Sequence, residues 1–206
     1  MTTDRAQRSV LLIGKSQLVL DESVAGLRDL GYGARATNDF ADITGRFDVN
    51  KIDLVVFGGQ VPADRKAELT REIGAINPRV IFVQGLAGIP GLIISQVQGA
   101  FTAAHEAPAR TPSYMPDPRS IRLNLENAAD VNVTVWWQTS FVPPDPESES
   151  QMILDDRLAG GDHAIPIPDH IPREAAFVSV KIGAAIYTFS LTESNDHDPG
   201  HEGGAP

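Results

Sequence analysis

The residues with the clearest capacity for chemistry stand directly after apolar runs in the first half of the chain. Gly14, Lys15 and Ser16 follow the first run, and Gly58 and Gly59 follow a later one. Equivalent positions after other runs hold Asp39, Gln84 and Gly85. Glycine lets backbone N–H groups approach an anion closely, and a helix N-terminus carries about half a positive charge. These residues are therefore the candidate binding site for a phosphate, a carboxylate or a nucleotide.

The glycine segments match no known phosphate-binding fingerprint. A P-loop requires a glycine five positions before Gly14, where Ser9 stands, and the dinucleotide pattern fails because Ser16 replaces its second glycine. Turn geometry accounts for the same glycines without any ligand. The sequence alone therefore allows two interpretations of these glycines, an anion-binding site and a set of tight turns.

Other side chains with catalytic or metal-binding chemistry lack a suitable setting. All five histidines lie at or after His105, so the first half has no imidazole base of its own. Ser16 beside Lys15 is better explained as a helix cap than as a nucleophile. Two further clusters are interpreted as a hairpin turn (Asp155, Asp156, Asp162, His163) and a solvated tail (His197, Asp198, His201, Glu202). We expect no catalytic residue, no metal and no cofactor.

Composition limits the classes of partner. The chain has 206 residues, a formal net charge of -10 and no cysteine. The negative charge disfavours nucleic acid, because that affinity comes mostly from Lys and Arg. A polar start followed by a short apolar run indicates neither a signal peptide nor a membrane span. These features predict a cytoplasmic protein that contacts no membrane and has no thiolate metal site.

Strand and helix patterns alternate around the candidate site. Short segments typical of buried parallel strands lie at 9–13, 34–37, 52–57 and 80–83. Helical spacing of apolar residues recurs at 17–30, 62–76 and 92–101, with a weaker helix over 40–47. In the second helix the predicted buried side is Leu69, Ile73 and Ile76. The order predicts an α/β domain in residues 1–106, with a parallel flavodoxin-like or Rossmann-like sheet flanked by helices.

The second half has the period of two that is typical of half-buried strands. A proline-rich stretch at 107–118 is predicted to be a linker. Beyond it, alternating apolar and polar residues predict a small antiparallel β-sandwich of about five or six strands in residues 119–192, including a strand at 151–154. The segment 193–206 is predicted to be a disordered tail because it is polar and rich in glycine.

Three segments of the first half, VLLIGKS, IDLVVFGG and VIFVQGLAG, resemble the strands of a response-regulator receiver domain over residues 9–101. The resemblance implies acids for magnesium after the first strand, a phosphate-accepting aspartate after the third, and Ser or Thr after the fourth. This chain has Gly14 and Lys15, then Gly58, then Gln84 at those positions, and a fifth strand with its lysine is not evident. The resemblance therefore implies a degenerate receiver that does not take up phosphate.

Alternation also predicts an apolar patch on the outer face of the sandwich. Trp136 shares its face with polar residues while Trp137 lies on the valine side, and Phe177 and Ile186 have the same outward parity as Trp136. Such a patch is expected to cover either the chain's own α/β domain or another chain. Both alternatives stay open on the sequence.

Missing acids and outward aromatic residues together favour a non-catalytic protein. It would act through contacts with a protein partner or by self-association into a homo-oligomer. One alternative is a binder or enzyme that holds a nucleotide or another anionic small molecule in the glycine-lined crevice. A third is a structural subunit of a larger assembly.

Overall fold

The computed structural model describes residues 8–102, 111–140 and 146–191. Its first unit alternates strands and helices as the sequence predicts. The elements are β1 (Ser9–Ile13), α1 (Gln17–Asp29), β2 (Gly33–Thr37), α2 (Ile43–Arg46), a 3₁₀ turn (Val49–Lys51), β3 (Leu54–Phe57), α3 (Ala63–Ile76), β4 (Ile81–Gln84) and α4 (Pro90–Thr102).

The parallel sheet has the strand order β2-β1-β3-β4, which is the order of the first four strands of a flavodoxin-like sheet. Its central strands are buried on both faces. Leu12 and Val56 pack on the side of α1 and α4, whereas Leu11 and Val55 pack on the side of α2 and α3. The predicted parallel sheet flanked by helices is therefore confirmed, and its carboxyl ends meet at one edge.

The second unit is an antiparallel sandwich, as predicted, made from more strands than expected. It consists of β5 (Ser113–Pro116), β6 (Arg119–Leu125), β7 (Ala129–Ser140), β8 (Glu147–Leu158), β9 (Gly161–Pro166), β10 (Ala176–Ile182) and β11 (Ala185–Ser190). These form a four-stranded sheet, β11-β10-β7-β8, and a three-stranded sheet, β5-β6-β9. Their inner faces share one apolar core that contains Trp137.

Three details differ from the sequence-based expectations. Part of the predicted linker forms β5, which pairs antiparallel with β6 at the edge of its sheet, where proline is tolerated. The strand expected at 151–154 extends over the whole of β8. Ile76 is 43% exposed instead of buried, because α3 ends there and turns away at Asn77. The predicted tail, 193–206, lies outside the described residues.

Helix α4 joins the two units. Its inner side packs on the parallel sheet and on α1, and its outer side packs on β10 and β11. Two glycines make this close approach possible. A Cβ at Gly91 would lie 2.3 Å from the ring of Trp136, and a Cβ at Gly99 would lie 2.5 Å from the backbone oxygen of Ile186. The described helices include none that is long and apolar enough to cross a membrane.

Candidate functional site

A cavity of about 260 Å³ lies at the carboxyl ends of β1, β3 and β4. This is the edge at which open α/β sheets bind ligands. Its wall comes from both units, since β7 and the start of β8 reach over the edge of the parallel sheet. The lining residues are Leu12, Ile13, Gly14, Lys15, Ser16, Val19, Leu20, Val56, Gly58, Gly59, Gln60, Gly85, Ala87, Gly88, Ile93, Gln138 and Pro146.

Most of the predicted site residues meet at this cavity. Gly14, Lys15 and Ser16 line it beside β1, and Gly58 with Gly59 lines it after β3. Gly85 lines it after β4. The floor is apolar and belongs to the core between the sheet and helices α1 and α4, through Leu12, Leu20, Val56 and Ile93. A ligand would therefore meet an apolar surface with polar groups above it.

The N–H groups of three strand-end glycines are hydrogen-bonded within the sheet. The N–H group of Gly14 donates to the oxygen of Thr37 at 3.2 Å, that of Gly58 to Ile13 at 2.8 Å, and that of Gly85 to Phe57 at 2.8 Å. Each bond extends the parallel ladder by one residue, so these amides are not available to an anion. A β-carbon at Gly58 would lie 3.3 Å from the α-carbon of Gly14, so close packing explains why glycine stands there.

Lys15 is the one ionisable side chain among the lining residues of the described chain. It is exposed, and its ammonium makes no ion pair with the described residues. Ser16 caps α1, as predicted, because its side-chain oxygen accepts a hydrogen bond from the N–H of Val19 at 3.3 Å. Carboxylates and imidazoles are absent from the described lining, so its only fixed charge is positive.

Two predicted site residues lie outside the cavity. Asp39 forms an ion pair with Arg46 at 3.2 Å and accepts a hydrogen bond from the N–H of Ala41, which fixes the loop after β2. Gln84 donates to the oxygens of Phe57 and Gly85 and accepts from the ammonium of Lys66. Both side chains are used in local structure.

Several lining residues were not predicted. Ala87 lies in the loop after β4, while Gln138 and Pro146 come from the sandwich. No local pattern could identify the last two, because their part in the site depends on how the units dock. The sequence offered one clue to Gln138, because side chains alternate along a strand and Gln138 is therefore on the same face of β7 as Trp136.

The outward aromatic face packs largely within the chain. The ring of Trp136 lies against Gly91, and Ile186 lies against Gly99, both on α4. The indole N–H of Trp136 donates to the hydroxyl of Ser179 at 3.0 Å. Phe177 lies opposite Trp136 in the pairing of β10 with β7 and is half-buried. Of the two open alternatives, the structure contains the intramolecular contact for Trp136 and Ile186.

The acidic hairpin residues do not converge on a metal site. Asp155 and Asp156 belong to β8, and Asp162 and His163 belong to β9. Among the described residues, no group of three or more His, Cys, Asp or Glu side chains has a geometry that could hold a metal ion. The cluster predicted in the tail, His197 to Glu202, lies outside the described residues.

Comparison with models of known protein families and with curated proteins gives no match.

Proposed function

We propose that the protein binds a small organic monocarboxylate in the crevice at the carboxyl edge of the parallel sheet. The observation that carries this proposal is a cavity of about 260 Å³ with an apolar floor, lined on one side by Lys15, whose ammonium makes no ion pair with the described residues. Binding sites for small molecules typically combine an apolar lining with a few polar groups. An apolar body with a single negative group complements this arrangement.

Carboxylate fits better than phosphate or a nucleotide. A phosphate dianion is usually held by several donors, such as backbone amides at a helix start together with arginine or lysine. Here the amides of Gly14, Gly58 and Gly85 are already bonded to neighbouring strands, and the described lining has a single charged donor, Lys15, and no arginine. The volume is also just below the roughly 300–1,000 Å³ of most ligand pockets, which favours a compact molecule.

The proposed role is binding without chemical conversion. General acid–base catalysis needs a group such as His, Asp, Glu or Lys within hydrogen-bond reach of the reacting atoms. Lys15 is the one such group in the described lining, and here it holds the carboxylate, while the hydroxyl oxygen of Ser16 caps α1. A degenerate receiver is compatible with this role, because Gly58 stands where the resemblance implies the phosphate-accepting aspartate and Gln84 stands where it implies Ser or Thr.

The proposal is tested by calorimetric titration of monocarboxylates into the wild type, Lys15→Ala and Lys181→Ala. Loss of the cation should weaken carboxylate binding by about tenfold or more, the effect of a hydrogen bond to a charged group. Lys181 is an exposed lysine on β10 and does not line the cavity, so its substitution should leave the affinity unchanged. Binding of nucleotides but not of carboxylates, or equal effects of the two substitutions, would contradict the proposal.

A second candidate is action through protein contacts, by self-association or as a subunit of an assembly. The observation in its favour is β4, which pairs with β3 on one side and with no described strand on the other. Ile81, Phe82 and Val83 are half-buried, and this edge lacks the charged residues that usually protect an edge strand.

Sedimentation equilibrium over a wide concentration range tests this candidate. The amides of Ile81 and Gly85 donate to β3, so those of Phe82 and Gln84 point to the other edge, where the oxygen of Gln84 already accepts from the side chain of Gln96 on α4. If copies associate through β4, Gln84→Pro should dissociate them because it removes an outward donor. A monomer at every concentration, or an oligomer that Gln84→Pro leaves intact, counts against association through this edge.

A further inference from the structure

The sandwich holds one polar side chain over the crevice. Trp136 and Gln138 are on the same face of β7, because side chains alternate along a strand. The ring of Trp136 is fixed against Gly91 in the first turn of α4 and is hydrogen-bonded to Ser179. Gln138 lies two residues further along, about 7 Å by the rise of a strand, and lines the cavity.

The side-chain amide of Gln138 makes no hydrogen bond with the described residues. It is half-buried, and its backbone N–H donates to the oxygen of Ala175 at 3.4 Å. An amide offers both a donor and an acceptor, and polar groups removed from water normally have a partner. Such a group above an apolar floor is suited to recognise a neutral polar group on a ligand.

The sandwich also closes this side of the cavity. Pro146, just before β8, lines it, and a Cβ at Gly88 would lie 3.3 Å from the Cγ of Pro146. The loop after β4 and the start of β8 are therefore in contact. A bound molecule would lie between Lys15 on the α/β unit and Gln138 on the sandwich.

We infer that Gln138 is the specificity-determining residue of the crevice. It selects carboxylates that carry a second, neutral hydrogen-bonding group, such as a hydroxyl. The inference rests on the proposed function, because Lys15 must hold the carboxylate first. Its physical basis is that a site amide left without a partner lowers the affinity for an analogue that lacks the matching group.

Matched pairs of probes test the inference by isothermal titration calorimetry. The pairs are butanoate, hexanoate and octanoate, each with its ω-hydroxy counterpart, so that one length suits the span from Lys15 to Gln138. In the wild type, at least one hydroxy acid should bind about fivefold more tightly than its parent, the value of a neutral hydrogen bond. In Gln138→Met this preference should fall to less than about twofold while the parent acid keeps its affinity.

The control is Gln98→Met, which changes a glutamine of α4 that does not line the cavity. It should keep the wild-type preference. If carboxylates bind with the expected dependence on Lys15 but Gln138→Met keeps the preference for the hydroxy acid, the inference is wrong and the proposed function stands. If no carboxylate of either series binds the wild type, both fail.

Discussion

Glycines on helix α4 and the glycine Gly59 at the crevice have different surroundings. On α4, the space beside Gly91 and Gly99 is filled by Trp136 and by the backbone of Ile186. At the crevice, a β-carbon at Gly59 would meet no atom within 4 Å, and the glycines border a cavity. Glycine therefore allows the two units to dock at α4, whereas Gly59 borders open space at the crevice. Only the tertiary contacts distinguish the two roles.

The largest expected effect is that of Gly99→Ala at the docked face. The new β-carbon would lie 2.5 Å from a backbone oxygen, which cannot rotate away as a side chain can. Overpacking of this kind should lower the free energy of unfolding by about 2 to 3 kcal/mol. Urea unfolding followed by circular dichroism measures the change.

Gly74→Ala is the matched control for that substitution. Gly74 also lies in a helix, α3, and a β-carbon there would meet nothing within 4 Å. Replacing a helical glycine by alanine should raise the free energy of unfolding by up to about 1 kcal/mol. If the two variants changed stability equally, the close contact between α4 and β11 would not exist in solution.

Smaller effects should separate the crevice glycines from one another. A β-carbon at Gly85 would lie 3.2 Å from the oxygen of Phe57, so Gly85→Ala should cost about 1 kcal/mol of unfolding free energy. Gly59→Ala should be neutral or stabilise by up to about 1 kcal/mol, because alanine restricts the unfolded chain and meets no neighbour. Thermal unfolding of both variants measures the two changes. A large loss of stability in Gly59→Ala would contradict the open space beside Gly59.

Much of the first unit could be predicted from the sequence because its signals are local. Continuous apolar runs identify β1 and β3, helical spacing identifies α1 and α4, and Ser16 and Pro90 stand where helices begin. The second unit was harder. Its prolines suggested a linker where β5 forms, because a proline can sit on an edge strand without losing a ladder bond. The length of β8 was not predicted because its many charged residues lack the apolar alternation of a half-buried strand. Most of its side chains are exposed, since β8 lies at the edge of its sheet.

The sequence predicted only the part of the site that belongs to the α/β unit. Gly14, Lys15 and Gly58 meet because parallel strands end at one edge, which is a property of the fold class. Gln84 was expected just after a strand but is the last residue of β4, and its side chain bonds to Lys66 on α3 instead of lining the cavity. Gln138 and Pro146 reach the cavity through the docking of the sandwich on α4. That docking depends on the shape of two surfaces, which sequence periodicity does not describe.

The position of β7 between the two packing layers has an optical consequence. The protein has two tryptophans, and they are adjacent on this strand. Trp137 is in the sandwich core, 8% exposed, whereas Trp136 lies on the opposite face against α4. Separation of the units would expose one indole to water, and unfolding of the sandwich would expose both. Intrinsic fluorescence thus distinguishes undocking from unfolding without any added label.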